Sequence, residues 1–355
     1  MTSNFKHAII LDRDYIEHLA PFFDAHICPK SVILIYHEEI RDSAEWLSRW
    51  LYERGIPSSL WKINSHLSNV QIARYLLQRL QDESTPIALN LGGNQSILAA
   101  IAHSIFRGLS KPVFLCDSNT MFRLEGGFKV HQIKPNWSIE PLLSYFGLSV
   151  LKSDTQNELM NQQSHVSSQL LHHIEQTQPF RILQRYAQEA KTTLRSPQIK
   201  GGELMVPGFQ TLLELLENEG HVFLDRGILL FQEERFRRFC TGDWLSTAFY
   251  DHYFTTLDDV ELLGVQLEVS WRDHPAHSFD LSAVLFIQGT LTLIAVTPSE
   301  DSKTHLYFDM LSRCIQTLPC KVITLSMEPL CSELEQRVKD LKFQHYSCND
   351  IKTLV

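Results

Sequence analysis

The decapeptide Ile87-Ala88-Leu89-Asn90-Leu91-Gly92-Gly93-Asn94-Gln95-Ser96 passes from an apolar run through two glycines into a segment with helical spacing. Its first five residues read as a buried strand. The glycines let the backbone approach a ligand with no Cβ in the way. The free N–H groups of the helix that follows would face any anion placed above the turn. In an open α/β sheet, ligands sit outside the carboxyl ends of the strands, and this turn is at such an end. A tight strand-to-helix turn with no ligand is the other reading of the same residues.

Outward from that turn the pattern repeats. Ala8–Leu11, Val32–Tyr36 and Val113–Cys116 are also rich in small and β-branched apolar residues, as buried parallel strands usually are. Between the strands lie amphipathic stretches at Tyr15–Phe23, Ile40–Arg54 and Val70–Gln81, the last with Ile72, Leu76, Leu77 and Leu80 on one face. Strands alternating with helices imply βαβ units and a doubly wound, Rossmann-like sheet. Asp12, Arg13 and Asp14 follow the first strand and would line the same sheet edge. Arg13 is the charge there suited to phosphate, unless the three form a solvated salt-bridge face.

A strand, a Gly-Gly turn flanked by polar residues and then a helix resembles the signature of CARF domains, the sensors of cyclic oligoadenylates in type III CRISPR defence. The resemblance spans the first domain: Asn90, Gly92 and Gly93 fit it, as does the strand ending Phe114–Leu115–Cys116–Asp117. It implies a ligand site lined by Asn90, Gly92, Gly93, Asn94, Gln95 and Asp117, for a cyclic oligoadenylate such as the tetra-adenylate. It also implies a homodimer, with the ligand across a two-fold axis between two glycine turns. The commonest family version has Thr before the glycines and Thr-Lys after them. Here Leu91 precedes, and Asn94–Gln95 follow, so no lysine charge is offered to a phosphate.

Residues 155–195 are polar and helical, and Ser196–Pro197 with Gly201–Gly202 make a break. These signals divide the chain into a sensing domain (1–150), a helical connector (151–200) and a second α/β domain (201–355). The second domain begins with helical Gln210–Glu219. A hairpin follows, Val222–Leu224 and Ile228–Phe231, turning at Asp225–Arg226–Gly227. A helix is expected from Gly242 to about Leu257, then a meander of Leu262–Val269, Leu281–Ile287 and Leu291–Val296. The strand Val322–Leu325 lies between helical Thr304–Leu318 and Ser332–Leu341.

Asp280 opens the second strand of that meander, and a turn at Gly289 leads into the third. This frame, with Gly242–Asp243–Trp244–Leu245 on the preceding helix, resembles the restriction-endonuclease-like domain of CARF-nuclease effectors. Those enzymes hold Mg²⁺ or Mn²⁺ with an Asp on one strand and a Glu on the next, and a Lys two residues later lies on the same side. The resemblance makes Asp280 the metal-ligand position and assigns the Glu-x-Lys positions to Ala295, Val296 and Thr297. Ser246 and Ser278 stand where two further acids are usual. A retained fold with lost chemistry follows from this pattern. A relocated site built from Asp280, Glu268 and Lys303 is the alternative.

The bulk numbers bound the rest. A chain of 355 residues with 44% hydrophobic and 21% charged residues is globular and long enough for two domains. Its net charge of -9 gives no global attraction for phosphate backbones. The stretch Glu233–Glu234–Arg235–Phe236–Arg237–Arg238–Phe239 could grip single-stranded nucleic acid, but its glutamates favour a solvated helix face with the phenylalanines inward. Seven scattered cysteines with no CxxC pair point to a reducing, cytoplasmic setting. The sixteen histidines, including His172, His173, His274 and His277, lack a second ligand pair at zinc spacing. No apolar stretch is long enough to span a membrane.

The expectation is therefore a CRISPR-associated oligoadenylate or nucleotide sensor fused to a nuclease-fold domain without catalysis. A metal-dependent nuclease of single-stranded RNA or DNA and a dimeric scaffold that binds nothing are the competing expectations.

Overall fold

Two sheets carry the molecule. The computed structural model describes residues 5–11, 19–24, 29–92, 96–116, 120–124, 130–133, 136–154, 157–172, 177–257, 260–287, 289–297 and 301–354. By its internal packing the chain divides into two compact units. One is Met1–Ser149 with Trp271–Asp273 and Thr317–Pro319, and the other is Val150–Ser270, His274–Gln316 and Cys320–Val355. Residues 151–200 thus fall in the second unit.

The first sheet contains Lys6–Ile10 (β1), Val32–His37 (β2), Ser58–Ile63 (β3), Ile87–Leu91 (β4), Val113–Cys116 (β5), Thr120–Arg123 (β6) and Val130–Gln132 (β7). Their order is β3-β2-β1-β4-β5-β6-β7. The first five strands are parallel, and β6 and β7 join antiparallel. Ala8, Ile9, Ile33, Ile35, Leu89 and Val113 are fully buried, as strands covered on both faces require. The crossover helices Arg41–Glu53, Asn69–Asp82 and Ile97–Gly108 supply that cover. Ser68 and Gln71 close a capping box on the second of them. Ile72, Leu76 and Leu80 point inward from it, whereas Leu77 stays exposed. Of the helix expected at Tyr15–Phe23, the structure describes Ala20–Phe23 as helical.

Strand order reverses between β1 and β4, which pair in parallel with Ile9 beside Asn90. The carboxyl ends of these two strands form the topological switch point, where open sheets hold their ligands.

The second sheet is built from Leu148–Asp154 (β8), Val260–Trp271 (β11), His274–Ile287 (β12), Thr290–Val296 (β13), Cys320–Ser326 (β14) and Gln344–Ser347 (β15), in the order β15-β14-β13-β12-β11-β8. Phe223–Asp225 (β9) and Ile228–Leu230 (β10) form the separate hairpin. The helices Asn157–His172 and Thr177–Glu189 place Val166, Leu170, Phe180 and Leu183 in one core with Trp244, Leu245, Phe249, Leu285 and Ile294. Each such side chain contributes about 1.5–3 kcal/mol on burial.

Two expectations need correction. Asp280 does not open its strand, because β12 starts at His274 and runs through Asp280. The arginine stretch is not a solvated face. Arg237 and Arg238 are buried, and only Phe239 of the two phenylalanines is fully so. Arg237 is held by Glu234 and by the carbonyl of Ala187. No helix among the described residues is long and apolar enough to cross a membrane.

Candidate functional site

At the switch point, Asn90 is the penultimate residue of β4 and is 1% exposed. Its Oδ1 lies 3.1 Å from His7 Nδ1, and the His7 ring stacks on Phe114 with centroids 6.1 Å apart. Among the described residues, Asn90 Nδ2 has no hydrogen-bond partner. Whichever way the amide is turned, one of its two polar atoms is left over. A buried, unpaired amide atom costs about 1–3 kcal/mol, which a ligand atom bonded to it would recover. Gly92 is buried directly after the strand. Arg13, Gly93, Asn94, Gln95 and Asp117 lie outside the described residues.

The second unit holds a cleft of about 450 Å³ between the helix Thr177–Glu189, the arginine stretch, β12, the end of β13 and the helix Asp301–Thr317. Asp280, Ser278, Ser282, Thr297, Asp243, Arg238 and Lys191 line it. The pairing of β12 with β13 sets Ala283 beside Ile294. Carried onward, that register would put Ser282 beside Ala295 and Asp280 beside Thr297, the two positions expected to have lost Glu and Lys. Ala295 and Thr297 are both buried, and the Thr297 hydroxyl donates to the carbonyl of Leu325.

The charges in this cleft converge on Arg238. Its Nε donates to Asp243 Oδ2 at 3.2 Å, and its Nη1 donates to the carbonyl of Gln266 at 2.6 Å. The same Nη1 lies 3.6 Å from Asp280 Oδ1. Ser282 donates to the other Asp243 oxygen at 2.8 Å. Ser246, at the family's acid position, is tied back to the Asp243 carbonyl at 2.6 Å. Tyr307 donates to the carbonyl of Asp280. Burial works against the Arg238 charge, but Asp243 and Asp280 outweigh it and hold the guanidinium above its ordinary pKa. The Asp280 side chain is 56% exposed, yet enclosure in the cleft still raises its pKa, with Arg238 opposing and Asp243 reinforcing the shift.

Local backbone makes this convergence possible. Phe239–Asp243 form a π-turn with Gly242 at φ +124. In an α-helix, residues five apart point about 140° from each other. Here the chain turns at Gly242, whose backbone is not helical, and Arg238 and Asp243 come to share a side. Gly242 is required twice over: its φ disfavours other residues, and a Cβ would meet Val296 Cγ1 at 2.9 Å. Gln184 Nε2 donates to the carbonyl of Thr241 at 2.8 Å, while its Oε1 has no partner among the described residues.

Of the residues expected for a relocated site, Glu268 accepts from Ser278 at 2.8 Å and lies 3.7 Å from Lys152. The Ser278 hydrogen bond keeps its pKa low. Lys303 belongs to the helix Asp301–Thr317, but its side chain is outside the described residues. The sequence put Asp243 in the Gly242–Leu245 frame and Arg238 in the arginine stretch, but did not bring the two together. The one signal was an acid five residues after an arginine, a spacing that ordinary helix geometry points apart.

A divalent cation of the Mg²⁺ or Mn²⁺ type needs several oxygen ligands with surplus negative charge. Among the described residues no three His, Cys, Asp or Glu side chains converge in that way. The two carboxylates that share the cleft do so around a guanidinium. These residues do not fit a divalent metal.

No protein-family model matches the chain, and no curated protein matches it in sequence. Solved structures do match. The crystal structure of protein VC1899 from Vibrio cholerae is similar over 98% of this chain and 95% of that one, with TM-score 0.74 and 19% identity. Can2 from Sulfobacillus thermosulfidooxidans, in complex with cyclic tetra-adenylate, is similar over 99% and 94%, with TM-score 0.61 and 16% identity. A type III CRISPR defence DNA nuclease activated by cyclic oligoadenylate is similar over 94% of this chain but 51% of its own length, with TM-score 0.50 and 11% identity. The fold, a doubly wound α/β unit and a second mixed α/β unit, is the one these structures share.

Proposed function

We propose that the protein is a cyclic-oligoadenylate sensor whose nuclease-fold domain responds by conformation and does not cut. The observation that carries this is the full-length likeness to a protein solved with cyclic tetra-adenylate. Asn90 supports the sensing half, because its spare amide atom stands at the switch point of the sheet. Ala295 and Thr297 support the silent half: neither can give a metal-binding carboxylate or a cation to the cleft. In this reading the protein is cytoplasmic and works as a homodimer, the ligand lying across the two-fold axis.

Calorimetry with cyclic tetra-adenylate and a cleavage assay on single-stranded RNA and DNA with Mn²⁺ test both halves. Binding without cleavage is the expected result. No binding to any oligoadenylate ring size would leave only a scaffold role.

A second reading is a ligand-activated nuclease working through Asp280, Glu268 and Lys303. It is favoured by the Ser278–Glu268 hydrogen bond, which ties Glu268 of β11 to a serine two residues before Asp280 in β12. Cleavage abolished by Asp280→Ala would establish it against the first.

A further inference from the structure

We infer that Arg238 is the resident cation of the second unit's cleft, in the place a divalent metal would take in a working nuclease of this fold. The inference rests on the nuclease-fold reading of that unit. Three oxygens from three segments meet on the one guanidinium: Asp243 Oδ2, Asp280 Oδ1 and the carbonyl of Gln266. Two carboxylates and a carbonyl are the hard oxygen set that a divalent cation recruits. Here a planar cation with fixed donors satisfies them, and at 8% exposure it lacks the water that would otherwise hold its charge. The pairing is built in. It needs the turn at Gly242 to bring Arg238 and Asp243 to one side, and a glycine there to let that turn pass Val296.

Ser282 completes the arrangement. It donates to the second Asp243 oxygen, so both oxygens of that carboxylate are already engaged by the chain's own side chains. The charge of the cleft is therefore fixed by the chain itself. Chelators should leave its fold unchanged, and so should Mg²⁺ or Mn²⁺.

Removing the Arg238 side chain would leave Asp243, Asp280 and the Gln266 carbonyl around a vacated space. The full-length protein and its Arg238→Ala variant, titrated with Mn²⁺ by electron paramagnetic resonance and thermal unfolding, test this. The wild type is expected to take up no stoichiometric Mn²⁺ and to keep its Tm in Mn²⁺ or in chelator. Arg238→Ala is expected to gain Mn²⁺ binding and a Mn²⁺-dependent rise in Tm, both lost in Arg238→Ala with Asp280→Asn. If the variant folds only in the presence of Mn²⁺, the inference also stands. Wild-type uptake of Mn²⁺ abolished by Asp280→Asn would overturn it. So would a folded Arg238→Ala that ignores Mn²⁺, or one that Mn²⁺ cannot recover. Cleavage by the wild type would instead count against the silent-nuclease reading, and oligoadenylate binding is untouched by any of these results.

Discussion

The polar centres of the two units differ in how much bonding capacity they hold back. Among the described residues, Asn90 keeps one amide atom free at the carboxyl end of β4, with His7 as its side-chain hydrogen-bond partner. Every Asp243 oxygen is already engaged: one carboxylate oxygen accepts from Arg238, the other from Ser282, and its carbonyl accepts from Ser246. A group with an unengaged atom can receive a ligand, while one whose atoms are all engaged serves the fold. The same contrast separates a receptor from a strut.

The largest expected effect breaks the engaged side. Asp243→Ala leaves the Arg238 charge buried without its nearest carboxylate, and chemical denaturation should register a loss of about 3–5 kcal/mol. Gly242→Ala attacks the same centre through the backbone, combining a positive φ with the Val296 contact. It should cost about 2–3 kcal/mol in the same measurement.

Asn90→Ala tests the other side. If the spare amide atom is kept for an anionic ligand, cyclic tetra-adenylate binding should weaken by about 1.5–3 kcal/mol, roughly ten- to a hundred-fold by calorimetry. Unfolding should lose only about 1 kcal/mol, for the His7 contact. Equal losses in both would make Asn90 structural and remove the contrast.

The smallest effects have opposite signs within the second cleft. Asp280 is raised above its ordinary value of 3.8, so its contribution is fully present below that pH and is lost as pH rises through the raised value. Glu268 is lowered from 4.5, so its contribution is present above that pH and is lost as pH falls through the lowered value. Asp280→Asn should thus gain on the wild type as pH rises from acid to neutral, and Glu268→Gln should fall behind it. With Asp280 more than half exposed, each difference should stay below about 1 kcal/mol in pH-dependent thermal unfolding.

What the sequence made legible follows from burial. β1, β2, β4 and β5 lie inside the first sheet, and their apolar runs are the direct mark of two covered faces. The strands that escaped notice include every edge: β3 and β7 of one sheet, β8 and β15 of the other. Edge strands need little apolar length, and Ser58–Ile63 and Gln344–Ser347 show how little. The first half of β12 hid for a similar reason, since its exposed His274–Ser278 stretch contains two histidines and a proline. At the sites, Asn90 and Gly92 were readable because they belong to one local turn. Arg238 and Asp243 were not, because helical spacing of 3.6 residues points them apart.

The π-turn also fixes what the chain can tolerate in length. Losing one residue between Phe239 and Asp243 would remake the break at Gly242 and change the direction and rotation in which the helix Trp244–Thr256 sets out. Trp244, Leu245 and Phe249 would then leave the core together. Substitutions can retune the charges of this cleft one at a time. A deletion there shifts the rotational phase of the whole helix, so the region can drift in composition while its residue count stays locked.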